Sequence, residues 1–205
     1  MMFVMAVANR KAQMPVWKIL TAGLLLLPIG IFGTKVMRVI ESRTLEGYSF
    51  YGAIFLVPVF MLAVARILHL DYSSLLDVCS PAGCVMLACM KVNCIDAGCC
   101  RGRILYVDKY ENYVRFPSQI VELIVGLILL VVIMAIIYKG SQKGMVYAWF
   151  MLLYGATRFV LNLFRETTPF ILGISAGCFW SIIAVLIGGG FLIYKNSISQ
   201  SVKGN

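Results

Sequence analysis

The 205-residue sequence predicts an all-α polytopic membrane protein, about six transmembrane helices in one bundle. Three observations carry that prediction. Hydrophobic residues make up 61% of the chain and Asp, Glu, Lys and Arg only 13%, against about 25% charged residues in soluble domains. Mean hydropathy is +0.90, so there are too few polar groups to cover a water-facing surface. The apolar runs reach the ~20 residues that a helix needs to cross a bilayer, and they do not alternate as barrel strands do. Their ends carry the basic residues, where long cationic side chains anchor to headgroups. This composition excludes disorder, a collagen-like repeat and a coiled coil. The formal charge is +9, from 18 Lys and Arg against 9 Asp and Glu. No basic run interleaves with aromatics, so nucleic acid is not an expected partner.

Met1 to Gln13 lacks the order of a cleaved signal, because apolar Met1 to Ala8 is short and Arg10-Lys11 follow it. The first membrane segment, expected to be retained, spans about Trp17 to Val36. The second spans Tyr48 to Leu68, without charge between Glu46 and Arg66. The third, Leu75 to Ile95, is interrupted by Asp77, Pro81 and Lys91. A polar stretch, Asp96 to Phe116, follows with Arg101, Arg103, Lys109 and Arg115 set against Asp96, Asp108 and Glu111. The fourth segment opens at Pro117, a favoured first helical residue, and ends at Tyr138. The fifth covers Met145 to Phe164 and the sixth Pro169 to Tyr194. With the N-terminus on the cytoplasmic side, each face receives eight basic residues, so charge alone does not orient the bundle. No stretch between segments is long enough for a soluble domain, and residues 1–205 read as one transmembrane domain.

Charge inside a membrane segment costs about 2.5–3.5 kcal/mol on insertion scales and therefore needs a partner or a watery cavity. In the fifth segment Tyr154, Arg158, Asn162 and Arg165 recur at spacings of four, four and three, on one helical face. Snorkelling to the headgroups suits Arg165, near the helix end; Arg158 lies deeper, which favours a stripe that faces an anion. The third segment holds Asp77, Lys91, Asn93 and Asp96 and runs into Gly98-Cys99-Cys100-Arg101-Gly102-Arg103. Gly98 and Gly102 permit close backbone approach, and Arg101 and Arg103 suit a phosphate. Pro117-Ser118-Gln119 opens the fourth helix with Glu122 in its first two turns, an arrangement open to an anion or to nothing beyond a helix start.

Of the seven cysteines, five recur at five-residue intervals, which turn about 140° per step and share no face. Paired C-x₂₋₄-C knuckles are absent, so buried thiols are preferred over a metal or disulfide set, and no metal or cofactor is expected. His69, the sole histidine, ends the second segment beside Asp71 and reads as a headgroup-level residue rather than a base.

The order of these motifs resembles the prolipoprotein diacylglyceryl transferase family, over about Gly30 to Gly188. Ile31-Phe32-Gly33-Thr34-Lys35 is similar to the family's Gly-Ala-Arg segment, and Ser49-Phe50-Tyr51-Gly52-Ala53 to its Ser-Phe-His-Gly-Gly. Asp77 and Pro81 match residues that precede the signature. Lys91-Val92-Asn93-Cys94-Ile95 and Ala97-Gly98-Cys99-Cys100-Arg101-Gly102-Arg103 resemble the signature itself. Phe116-Pro117-Ser118-Gln119 with Glu122 resembles His-Pro-Ser-Gln-x-x-Glu, and Tyr154-Gly155, Arg158-Phe159 and Phe164-Arg165 resemble the family's Tyr-Gly-x-x-Arg-Phe and Phe-Arg.

The resemblance implies a multi-pass protein of the bacterial inner membrane that moves diacylglyceryl from phosphatidylglycerol to the cysteine thiol of a lipobox-bearing preprolipoprotein. It implies phosphate contacts from Arg158, Arg103 and Lys91, glycerol contacts from Tyr154, Gln119 and Ser118, and site positions at Gly98, Gly102, Glu122 and Arg165. Several positions depart from the family pattern. Tyr51 stands for its histidine, Lys91 for an arginine, Cys94 for an asparagine, Cys99 for a glutamate and Asn162 for a glutamate. A phenol with a pKa near 10 is a poor base at neutral pH. The first helix of the family is expected to be missing. The alternative reading is a catalytically silent relative that binds phospholipid headgroups or a membrane partner. Thiol–disulfide chemistry at Cys99-Cys100 ranks below both, because a vicinal disulfide is strained.

Overall fold

A computed structural model of the chain describes residues 1–43, 47–107, 109, 113–166, 170–171 and 173–203. Glu46, Asp108, Glu111 and Pro169, which bound or populate the expected segments, lie outside them. Seven helices occur among the described residues: α1 Met2–Ala12, α2 Val16–Ser42, α3 Phe50–Ile67, α4 Tyr72–Asp96, α5 Ser118–Lys139, α6 Met145–Asn162 and α7 Ala176–Lys203. Two antiparallel hairpins complete the fold, β1 Ile104–Val107 with β2 Tyr113–Arg115 and β3 Phe170–Ile171 with β4 Ile174–Ser175.

Helices α2, α3, α4, α5 and α7 are long and apolar enough to cross a membrane. The remaining expected segment, the fifth, is α6, whose 18 residues include Tyr154, Arg158 and Asn162 of the polar stripe, with Arg165 just beyond its end. The protein is thus a multi-pass, all-α membrane protein. Three boundaries differ from expectation. The first span continues past Val36 to Ser42, because Met37 still has core to bury against. Pro117 is the N-cap of α5 rather than its first residue. The last span starts at Ala176, since the preceding residues pair as the β3–β4 hairpin.

The short α1 had no counterpart among the expected segments. It buries Met5 and Ala8 in the core and packs Met5 on Gly23 of α2. Asn9 closes the turn that follows: its Nδ2 donates to Met14 O at 2.7 Å and its Oδ1 accepts from Met14 N–H at 3.0 Å. At the α3–α4 turn the Asp71 carboxylate accepts from Ser74 N–H and Ser74 Oγ–H, at 3.1 and 2.6 Å, capping α4. Asp77, inside α4, caps a different helix. Its carboxylate accepts the Gly144 and Tyr147 N–H groups at 2.7 and 3.1 Å and so satisfies the N-terminus of α6.

Glycines set the closest crossings. A Cβ on Gly52 would overlap the Gly33 carbonyl, so α3 lies backbone to backbone on α2. On α7, Gly188 meets the Ala148 carbonyl, and Gly155 of α6 meets the Ser181 carbonyl in the same way. The core gathers Met37, Phe50, Tyr51, Leu87, Ile133, Phe150 and Tyr154 from five helices.

Candidate active site

The C-terminal ends of α2, α4 and α6 and the N-terminal ends of α3 and α7 meet at one end of the bundle, around a cavity of about 760 Å³. Tyr51, Lys91, Cys94, Cys99, Tyr154, Arg158, Asn162 and Arg165, all expected at the site, line it. The stripe on α6 therefore does face a cavity. Arg38 and Glu41 from α2, Ser49 before α3, and Cys100 and Arg101 after α4 line it as well.

Glu122 lies under the wall. It is 3% exposed and takes Lys91 Nζ at 2.5 Å and the Arg158 guanidinium on the same Oε2. A buried carboxylate between two cations leaves the group with one net positive charge and fixes both cations in position, since removing one partner of a buried pair strands the other. Lys91 and Arg158 are thereby anchored from α5.

Tyr51 is 3% exposed, and its hydroxyl sits 2.5 Å from Ser181 Oγ and 3.3 Å from the Gly177 carbonyl on α7. Ser181 Oγ itself donates to Gly177 O at 2.7 Å. The phenol is thus held by α7, and its ring packs against those of Phe55 and Tyr154. Asn162 is buried against Gly177, and neither its Oδ1 nor its Nδ2 has a hydrogen-bond partner among the described residues. Glu41 accepts from Ser49 Oγ–H at 2.6 Å.

The remaining expected residues fall outside the lining. Arg103 is exposed, and its guanidinium donates to the Leu163 carbonyl at 3.4 Å. Its backbone bridges Phe164 and Phe116, each at 2.9 Å. Gly102 has no room for a Cβ beside the Phe116 carbonyl, so this Gly-Arg pair stitches the β1–β2 hairpin to the end of α6. Ser118 Oγ donates to Cys100 O at 2.7 Å, and Gln119 donates to the carbonyls of Cys94 and Cys99. These two side chains shape the loop that carries Gly98 and Arg101 instead of reaching the cavity. His69 is exposed at the α3–α4 turn, at the opposite end of the bundle.

The cysteines divide. Cys84 and Cys178 are buried and Cys79 half-buried, as thiols in a core. Cys89 and Cys99 are exposed, and Cys94, Cys99 and Cys100 bring their sulfurs within 4.8 Å of one another. That grouping departs from the expected set of separate buried thiols. The Cys94 thiol donates to Cys100 and, with Arg165 and Lys91 nearby, outweighs burial to hold the Cys100 thiol below its ordinary value.

Glu41 was missed because it lies beyond the expected end of the first span. The signal was present: Thr34, Arg38 and Glu41 recur at four and three, one helical face.

The family model for prolipoprotein diacylglyceryl transferase matches residues 1–194. The chain is 25% identical over 209 residues to a phosphatidylglycerol–prolipoprotein diacylglyceryl transferase of Dehalococcoides mccartyi, covering 91% of this chain and 80% of that protein. Proteins of the same name from Bordetella parapertussis and Geobacter sulfurreducens are 29% and 31% identical, over 72% and 65% of this chain and 61% and 54% of theirs.

Proposed function

The chain belongs to the prolipoprotein diacylglyceryl transferase family, and on that premise we propose that it moves diacylglyceryl from phosphatidylglycerol to the cysteine thiol of a lipobox-bearing preprolipoprotein. It works as a single transmembrane domain in a bacterial inner membrane. The reaction forms a C–S bond at the glyceryl carbon and breaks that carbon's bond to the phosphate oxygen, so glycerol phosphate leaves with the electron pair. Charge therefore builds on the phosphate in the transition state.

The observation that carries this reading is the cation set on the cavity wall: Arg38, Lys91, Arg101, Arg158 and Arg165, against the carboxylates of Glu41 and Glu166. Fixed donors aimed at developing charge in a water-poor site are worth far more than in water. Arg158 and Lys91, anchored by Glu122, are the two whose position costs nothing to reorganise, and we assign them to the phosphate. Arg165 and Arg101 take the outer oxygens. The unpartnered amide of Asn162 and the Tyr154 hydroxyl suit the glycerol hydroxyls. Gly98 and Gly102 shape the loop, and Ser118 and Gln119 support it through the Cys94, Cys99 and Cys100 carbonyls. Tyr51 stays a neutral hydrogen-bonding wall residue.

A second reading, a silent relative that only holds phospholipid headgroups, draws on that same Tyr51, whose hydroxyl is engaged with α7. The deciding measurement is transfer of label from radiolabelled phosphatidylglycerol to a lipobox peptide by the purified protein. Thioether-linked label on the cysteine peptide and none on its Cys→Ser counterpart supports transfer. Stoichiometric lipid binding without product supports the silent relative.

A further inference from the structure

The backbone reverses sharply where α4 ends. Gly98 and Cys100 both hold left-handed φ, at +60° and +59°, and the Cys99 N–H donates back to the Cys94 carbonyl at 3.1 Å. A left-handed φ is uncommon for any residue other than glycine, asparagine or aspartate. A cysteine kept there is oriented by the loop around it rather than by its own preference. The reversal folds Cys99 and Cys100 onto the last turn of the helix, so that three thiols from a seven-residue segment converge within 4.8 Å, with Cys94 and Cys100 Sγ at 3.8 Å. All three line the cavity.

Metal–sulfur bonds of ~2.3 Å set the sulfurs of a trigonal or tetrahedral thiolate site roughly 3.8–4.0 Å apart. The trio needs only a small contraction to reach that spacing. Lys91 and Arg165 face Cys100, and their charge offsets the net negative charge that three thiolates keep after binding a divalent cation. Oxygen ligands are lacking in the group, which selects soft or borderline metals over magnesium or calcium.

We propose that Cys94, Cys99 and Cys100 form a three-thiolate site for a thiophilic cation, zinc above all, whose fourth position faces the cavity and takes the acceptor thiol. Three protein ligands with one open position is the arrangement of catalytic rather than structural zinc. The role of the fourth position rests on the transferase reading above; the metal site itself does not. It supplies what the cavity otherwise lacks. Tyr51 is a neutral phenol, the sole histidine lies at the far end of the bundle, and a carboxylate such as Glu41 is weakly basic beside a thiol of pKa near 8.5. Coordination replaces the acceptor's thiol proton, which leaves to water, and keeps the sulfur as thiolate at neutral pH. That sulfur's electron pair then forms the C–S bond as the C–O bond to phosphate breaks. No oxidant or reductant is required.

The test uses the full chain in detergent, reduced, loaded with Zn(II) or separately with Co(II), and desalted. Wild-type protein retains about one metal per chain. The Cys94→Ser/Cys100→Ser variant loses affinity by more than the roughly 10–100-fold that outer-shell changes cause, while Cys89→Ser, an exposed thiol outside the trio, retains metal as wild type does. Equal circular dichroism and thermal unfolding of the two variants separate ligand loss from misfolding. The cobalt protein absorbs through thiolate-to-cobalt charge transfer, and that band strengthens on adding a lipobox peptide but not its Cys→Ser form. Retention unchanged in the Cys94/Cys100 variant, or a wild-type chain that holds no metal after reduction, overturns the site. A cobalt band indifferent to the thiol peptide overturns the fourth position. None of these readouts needs turnover, so metal and thiol binding without transfer leaves this site standing and removes the proposed reaction.

Discussion

Arg158 and Tyr51 both line the cavity, yet they should differ sharply in what their loss does. Arg158→Ala removes a donor aimed at the leaving phosphate, and such losses cost about 10²–10³ in rate. It leaves Glu122 in a neutral buried pair with Lys91, so the stability cost should stay within the roughly 0.5–3 kcal/mol of an ordinary substitution. Glu122→Gln with Arg158 kept separates the two effects, because it leaves two buried cations without their shared carboxylate and should lower thermal stability by about 3–5 kcal/mol, the larger loss of the two variants. Tyr51→Phe removes only a bond to α7, worth about 1 kcal/mol, and the labelled-lipid assay should record less than a tenfold loss. Losses equal to those of Arg158→Ala would make the phenol a participant. Arg103→Ala should also change transfer by less than tenfold, because its guanidinium binds a backbone carbonyl outside the cavity. At the other end, hydrogen bonds from Ser74 hold the Asp71 carboxyl below its ordinary value, ahead of the opposing effect of burial. With the folded pKa depressed, the cap is fully present above the unfolded value near 4 and is lost as pH falls through the folded one. Asp71→Ala should cost about 0.5–2 kcal/mol at pH 7, and that gap should close below pH 4. A gap that persists in acid would assign the effect elsewhere.

Helix packing in this bundle is governed by where side chains are missing. Gly52→Ala must drive a methyl into the Gly33 carbonyl, and overpacking of this kind costs about 1–3 kcal/mol. Gly190 of α7 has nothing within 4 Å of its added Cβ, so Gly190→Ala should instead stabilise by up to ~1 kcal/mol through helix propensity. Thermal unfolding in one detergent compares the two, and a Gly52→Ala variant as stable as wild type would contradict the crossing. These elements also mark what the sequence can reveal. The spans were legible because hydropathy over about 20 residues is a property of the segment itself. The α6 stripe was legible because three- and four-residue spacings fix a face. Glu41 escaped because hydropathy places a helix end at the first charges, whereas α2 continues past Lys35 and Arg38 into the site. Arg103 falls outside the cavity lining, on the Leu163 carbonyl, a placement the sequence did not reveal because a Gly-Arg pair suits a hairpin stitch as well as a phosphate. The thiol trio was hidden because uninterrupted helix sends five-spaced cysteines to different faces, and two left-handed residues after α4 undo that rule.

At the scale of the whole molecule, the loop between α2 and α3, the β1–β2 hairpin and the β3–β4 hairpin share the cavity's end, while the α1–α2, α3–α4 and α5–α6 turns share the other. Six crossings then put the start of α2 and the end of α7 on one side, which we expect to be cytoplasmic, with the cavity end outside. Impermeant maleimide should label Tyr113→Cys from outside and Ser141→Cys only after permeabilisation, in a background with Cys89 and Cys99 changed to serine. Labelling of both from one side would refute the arrangement.

The five cations that face two carboxylates across the cavity bear on a later moment than bond breaking. The lipid arrives with a phosphodiester carrying one negative charge, but the departing glycerol phosphate is a monoester whose second proton leaves near pH 6, so above neutrality it is a dianion. The wall that lowers the barrier therefore grips the product harder than the reactant, and turnover should be limited by escape of the product. A rapid first turnover followed by a slower steady rate, with added glycerol phosphate inhibiting more strongly at pH 8 than at pH 5.5 and salt relieving it, is the kinetic signature such a cavity writes.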